Sequence, residues 1–292
     1  MTRSPMPAPR SAIKIRLRNL PPSAGLQWIR RGTRMFLRRP GGFLGLFGFA
    51  LLTLLLLMLT PAAIQILSLV LMPLLSLGFM LATEDVQKDL PARPPVFWLP
   101  LTAGGADERR ALLNIGVAYV VVFLLIYFFG DRIDHGEAKA WLETMFTPRP
   151  DGTMPEPTPL SGLGTFVLLL KTFGLAIVSV PLWHAPALVH WGRQPSAQAM
   201  FTSVVALWRT RGAFGMYLLG WCAIGLVFML LTLAVASLFG SLQIAVAVMT
   251  PVSWALSAIF YITVWFGFVD TFEIGPIVVP RTVMADGGGS GA

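Results

Sequence analysis

From Phe43 to Ala82 the chain carries no charged side chain, and from Ala213 to Val269 it carries none again. A helix rises 1.5 Å per residue and the hydrocarbon core of a bilayer is about 30 Å thick, so a spanning helix needs about 20 apolar residues. Each uncharged stretch is long enough for two. Thr60 and Pro61 punctuate the first, and Gly240, Ser241 and Gln243 punctuate the second, so each reads as a pair of antiparallel spans. Between them, Leu112 to Phe129 and Leu160 to Leu182 read as two further spans. Lipid offers no hydrogen bonds to the backbone, which leaves the helix as the viable spanning element for such runs. The predicted fold is therefore all-α: a polytopic membrane protein of six transmembrane helices in three hairpins, with spans 43–60, 63–82, 112–129, 160–182, 213–239 and 242–269. They form a membrane domain over 43–282. A basic tail over 1–22 is expected to be disordered, and the Gly/Ser-rich tail over 283–292 to be flexible.

Composition and charge fix the orientation. Only 12% of the 292 residues are charged, against roughly a quarter in a soluble domain, and 55% are apolar. Of the 22 basic residues, eighteen fall on one side of the predicted layout. They are Arg3, Arg10, Lys14, Arg16, Arg18, Arg30, Arg31, Arg34, Arg38 and Arg39 before span one, Lys88, Arg93, Arg109 and Arg110 after span two, Arg193, Arg209 and Arg211 after span four, and Arg281 at the end. Three others, Arg132, Lys139 and Arg149, share the opposite loop with Asp131, Asp134, Glu137, Glu143, Asp151 and Glu156. Basic residues near span ends stay in the cytoplasm, so both termini are expected inside a bacterial inner membrane. The net charge of +8 is thus a topology and lipid-headgroup signal. No module for reading nucleic acid accompanies it.

Ser23 to Arg39 has helical periodicity, with Gln27, Arg30, Arg31, Arg34 and Arg38 on one side and Leu26, Trp28, Ile29, Met35, Phe36 and Leu37 around the rest. Ser23 is a candidate N-cap and Pro40 a stop. Such a helix is expected to lie in the cytoplasmic interface, its apolar face toward acyl chains and Arg30, Arg31, Arg34, Arg38 and Arg39 at lipid headgroups. The competing reading is a helix packed on a partner protein. Ser196 to Arg209, opened by Pro195, repeats the device before span five, and Val96 to Leu99 with Arg109 and Arg110 repeats it before span three. The chain thus reads as three units, each a cytoplasmic segment, a basic junction and a pair of spans. Outside, Ile133 to Phe146 can form a short helix, followed by an extended linker holding Pro148, Pro150, Pro155, Pro157 and Pro159.

Lys171 is the most informative single residue, because it falls near the middle of span four and no span contains an acid to neutralise it. It is a candidate intramembrane site for an anion, a headgroup or a proton, or else a structural lysine that snorkels or bonds a carbonyl. Pro73, Pro181 and Pro251 interrupt the second span of each hairpin, where a kink either frees carbonyls toward a cavity or shapes packing. Gly41 and Gly45 form a small-xxx-small pair. His184 and His190 lie six apart with no carboxylate or cysteine at ligand spacing. Asp131, Asp134, His135 and Glu137 follow no metal-loop pattern and read as a solvated face. Cys222 reads as a small buried hydrophobe. No catalytic motif is present, so no catalytic residue, cofactor or metal is expected.

At Trp183, His184, Ala185, Pro186, Ala187 and Leu188, with Pro195 and the helix ending at Trp208 and Arg209, the chain resembles an uncharacterised family of proteobacterial six-span inner-membrane proteins. That family has an aromatic-aromatic-Ala-Pro-Ala-Leu turn after span four, and here His184 takes the second aromatic place. Leu75 to Met80 with Asp85, and Pro251 through Tyr261 to Asp270 and Phe272, are similar to it as well. Family proteins end span six in Arg-Asp, whereas this chain reads Val269, Asp270. The layout is more distantly similar to the membrane-anchor domain of glycerophosphodiester phosphodiesterases, without a phosphodiesterase catalytic domain. The resemblance implies a fold and a membrane and no reaction. The expected role is a non-enzymatic membrane-organising or partner-binding component, touching membrane lipids and a protein at its cytoplasmic face. The alternative is a small transporter or channel with a site near Lys171.

Overall fold

The computed structural model describes residues 13–147 and 159–276. The basic residues before Ile13, most of the proline-rich linker and the tail over 283–292 lie outside the described residues. Twelve helices follow in chain order: α1 (Ala24–Arg38), α2 (Pro40–Met58), α3 (Ala62–Ser68), α4 (Met72–Gln87), α5 (Leu99–Thr102), α6 (Ala106–Ile133), α7 (Glu137–Phe146), α8 (Gly162–Ser179), α9 (Ala185–His190), α10 (Ser196–Arg209), α11 (Arg211–Phe239) and α12 (Leu242–Thr271). A short ribbon pairs β1 (Ile13–Leu17) with β2 (Phe272–Pro276) in antiparallel register.

The breaks between helices follow from residues that cannot continue one. Pro40 stops α1 and, lacking an N–H that a first turn would leave unpaired anyway, opens α2. At Thr60 and Pro61 the chain reverses, and the Gln65 side chain donates to the carbonyls of Met58 and Thr60 at 3.0 and 2.8 Å, satisfying groups a helix end would strand in lipid. A 3-10 turn over Leu69–Leu71 links α3 to α4 just before Pro73, whose ring cannot tolerate a full α-turn against the preceding carbonyl. Gly240 adopts a left-handed φ of 65° to close α11, and Ser241 then caps α12 by accepting from the backbone N–H of Ile244. Pro251 lies inside α12, and Pro181 lies in the 3-10 turn that ends α8.

Five stretches are long and apolar enough to cross a membrane: α2, α3 through α4, α6, α11 and α12. The apolar helix α8 is shorter, yet with its 3-10 extension to Leu182 it also approaches the bilayer thickness. Counting it gives six crossings, which return the chain to the face it started from. The pairing of Leu17 with Phe272 and of Ile15 with Ile274 requires that even number. The protein is thus a polytopic helical membrane protein. The ribbon also corrects the expectation that residues 1–22 form a disordered tail: Ile13 to Leu17 are a strand, and the Arg18 N–H donates to the Thr271 carbonyl at 3.0 Å.

Packing centres on α12, which meets α1, α2, α4 and α11, while α6 pairs with α8. The first predicted hairpin is open: α2 packs on α12 rather than against α4, and buries only Phe43, Leu46 and Ala50. The apolar face of α1 is not turned to acyl chains as expected. It lies across α11 and α12, with Trp28, Met35 and Phe36 buried in the core. Glycines make that approach possible, since a Cβ on Gly25 would sit 2.0 Å from the Ala213 carbonyl and one on Gly32 would sit 2.4 Å from the Thr263 methyl. Gly41 and Gly45, the pair expected to support helix contact, meet nothing within 4 Å. Cys222 is exposed on α11 rather than buried.

Candidate functional site at the cytoplasmic face

Asp270, at the last turn of α12, is the first acidic residue after Glu156, and a carboxylate at the end of so long an uncharged run needs partners. It finds two on α1: the Trp28 indole N–H donates to it at 2.9 Å and Arg31 forms an ion pair with it. The Arg31 guanidinium also sits 4.8 Å over the Phe266 ring. Arg31 is therefore a tie between α1 and α12 rather than one of the headgroup arginines. The aspartate that lacks a neighbouring arginine in sequence obtains one in space. Arg30, Arg34, Arg38 and Arg39 remain exposed on the outer side of α1 and its end.

The turn after span four packs beneath this tie. Trp183 approaches the rings of Phe260, Tyr217 and Phe214 at 5.4, 6.2 and 6.3 Å. His184 is fully enclosed by Phe214, Phe268 and Phe272, with ring centroids 5.5 to 5.9 Å away. Neither of its ring nitrogens has a hydrogen-bond partner, and burial pushes its pKa down to about 3. His184 is thus a neutral aromatic filler. Ala185 and Pro186 are buried in the first turn of α9, and Pro195 precedes the first turn of α10.

Where α9 and α10 meet the start of α6, a cleft of about 1050 Å³ opens at the end of the bundle that carries Arg110 and Arg193. Its wall carries charges of both signs: Asp107, Glu108, Arg110 and Arg193, together with His190, Asn114 and Gln194. The His190 ring nitrogen Nδ1 lies 2.6 Å from the Glu108 carboxylate. Arg193 holds a positive φ of 50°, uncommon for a side-chain-bearing residue, and the Gln194 side-chain oxygen is buried without a partner. Sequence spacing alone finds no carboxylate for His190, because Glu108 belongs to the preceding unit. The signal available was Glu108 in a first helical turn beside two arginines, on a face otherwise rich in base.

Lys171 has a partner that no predicted span supplied. Its ammonium lies 2.5 Å from the Asp131 carboxylate and 5.6 Å from the centre of the Tyr127 ring. Asp131 sits at the outer end of α6, beyond the predicted limit of span three, where α6 continues for a further turn. The lysine rises toward the outer interface past Gly130 to reach it, so the absence of an acid within the spans did not mean absence of a partner. The neighbouring acids are structural as well: Asp134 accepts from the backbone N–H groups of Gly136 and Ala138, and Glu137 accepts from Ser161, tying α7 to the start of α8. Ser161 holds the Glu137 carboxyl below its ordinary pKa. Among the described residues no cluster of three or more metal-ligating side chains occurs.

The chain is 28% identical over 257 residues to a protein of Burkholderia thailandensis described as a probable inner membrane protein, covering 88% of this chain and 94% of that one. No family model matches the chain, and no solved structure does. With the apolar spans, the similarity establishes a multi-pass protein of the inner membrane.

Proposed function

We propose that the protein is a non-enzymatic membrane-organising component that binds a protein partner at its cytoplasmic cleft, while the exposed arginines of α1 face lipid headgroups. The observation that carries this reading is the distribution of polarity among its cavities. The cleft between α6, α9 and α10 is lined by Glu108, Arg110, His190 and Arg193, at the end of the bundle that the positive-inside rule assigns to the cytoplasm. The two grooves at membrane depth have no charged residue in their walls. The transporter alternative rests on Lys171 and on the prolines of the even-numbered spans; the pairing of Lys171 with Asp131 gives that charge a structural role as well.

The test is site-specific photo-crosslinking in native membranes, with a crosslinking residue placed at Ser196 on the cleft rim and another at Lys139 on the outer helix. A defined adduct from Ser196, lost when Arg110 and Arg193 are both replaced by Glu, is the expected result. If the Ser196 probe yields no adduct, or the same adducts with and without the charge reversals, the cleft is not a partner site.

A further inference from the structure

Between α2, α4, α11 and α12 lies a groove of about 550 Å³ at membrane depth, lined by Phe47, Leu54, Trp221, Phe228, Phe260 and Tyr261 among others. A smaller one of about 250 Å³ runs along the opposite side of α2. Both exist because α2 meets the bundle through little more than Phe43, Leu46 and Ala50. A space so apolar cannot hold water stably. A partner's transmembrane helix, about 10 Å across and about 30 Å long, would need more than about 2000 Å³. The larger groove instead falls in the range of small-molecule sites, about 300 to 1,000 Å³. In a bilayer the small apolar molecule at hand is an acyl chain.

What stands above the groove decides which lipid. α1 crosses α11 and α12 just where the groove begins. Ile29 and Leu26 come up against Gly220, the residue before Trp221, and Gly32 against Thr263, less than a turn from Phe260. The outward side of α1 at these positions carries Arg30, Arg34 and Arg38, all exposed and with no ion-pair partner among the described residues. We propose that the cytoplasmic end of the bundle holds one anionic phospholipid, its phosphate on Arg30, Arg34 and Arg38 and one acyl chain in the groove between α2, α11 and α12. This rests on the reading above only in its orientation of the α1 arginines toward headgroups, and is independent of the cleft.

The experiment uses delipidated full-length protein in detergent, titrated with phosphatidylglycerol or with phosphatidylcholine and read by native mass spectrometry. Gly225 lines the groove, and a Cβ there meets nothing within 4 Å, so Gly225→Leu directs a side chain into that space. Gly45→Leu, equally free of contacts but away from the groove, is the control. The wild type and the control are expected to retain one phosphatidylglycerol, with Gly225→Leu binding it at least about tenfold more weakly. Arg30→Gln, Arg34→Gln and Arg38→Gln together are expected to reduce the preference for phosphatidylglycerol over phosphatidylcholine by about tenfold or more. Wild-type retention by Gly225→Leu overturns the chain site alone. An undiminished preference in the triple variant overturns the headgroup assignment, and with it the orientation on which the site rests.

Discussion

His184 shows how a polar residue can occupy a place that packing reserves for an aromatic ring. Its nitrogens are sealed among Phe214, Phe268 and Phe272 without a partner, although the neutral imidazole keeps one N–H that needs an acceptor. An unsatisfied buried donor costs about 1–3 kcal/mol, so His184→Phe is expected to stabilise the protein by about that amount in detergent unfolding. The pH dependence has a definite sign. The folded pKa of about 3 lies below the ordinary value of 6.5, so between these limits the unfolded chain binds the proton and the folded one does not. The stability is complete above about 6.5 and declines as pH falls toward 3, by up to about 1.4 kcal/mol per unit. The difference between wild type and His184→Phe should widen along that slope; a constant difference from pH 7 to pH 4 would mean that the imidazole is not sealed. Spacing alone marked His184 only as a histidine without a ligand partner, and its place among three phenylalanines appears only in the fold. Lys171 was legible as unusual and not as paired, because the helix that carries Asp131 outlasts its apolar run and charge patterning ends a span too early.

Among the elements, α1 is a helix over Ala24–Arg38 without the side-chain cap expected of Ser23, and its apolar face is covered by α11 and α12 rather than by acyl chains. The reason is physical: a lipid tail and the flank of a neighbouring helix are equally apolar, so periodicity identifies the face without identifying its cover. The glycines were the better signal, because Gly25 and Gly32 lie on one helical face seven residues apart and a helix meant only for lipid has no use for them. Gly25→Val is expected to lift α1 from α11, since its Cβ would meet the Ala213 carbonyl, whereas Gly41→Val, which meets nothing within 4 Å, should leave the tie intact. Limited trypsin digestion at Arg34 and Arg38 reads the difference: faster cleavage in Gly25→Val alone is the expected result, and equal rates in both variants would show that α1 does not depend on close contact. The strand β1 was hidden for another reason. Ile13, Ile15 and Leu17 alternate with Lys14, Arg16 and Arg18, which is the period of a strand, but the partner that turns this pattern into a ribbon lies at the far end of the chain.

At the scale of the whole molecule, the number of crossings and the position of the ends are one question. Hydropathy recognises α2, α6, α11, α12 and the composite of α3 and α4 without difficulty, and leaves α8 short of the length usual for a span. Five crossings would put β1 and β2 on opposite sides of the membrane, where they could not pair. The register places Ile15 opposite Ile274, and directly opposed residues of an antiparallel ribbon have Cα atoms about 4.5–5.5 Å apart, within disulfide range. Cys222 is the sole native cysteine and lies within α11, remote from the ribbon, so a bridge between introduced cysteines is readily assigned. Ile15→Cys with Ile274→Cys is expected to form an intramolecular disulfide on mild oxidation of isolated membranes, whereas Ile15→Cys paired with a cysteine at Lys139 on the outer helix should not. A bridge to position 139, or none to 274 while both thiols react freely with maleimide, would separate the ends and with them remove the sixth crossing. Because the ribbon closes only when the crossings are even, this single bond reports on the register of two strands and on the topology of the six helices between them.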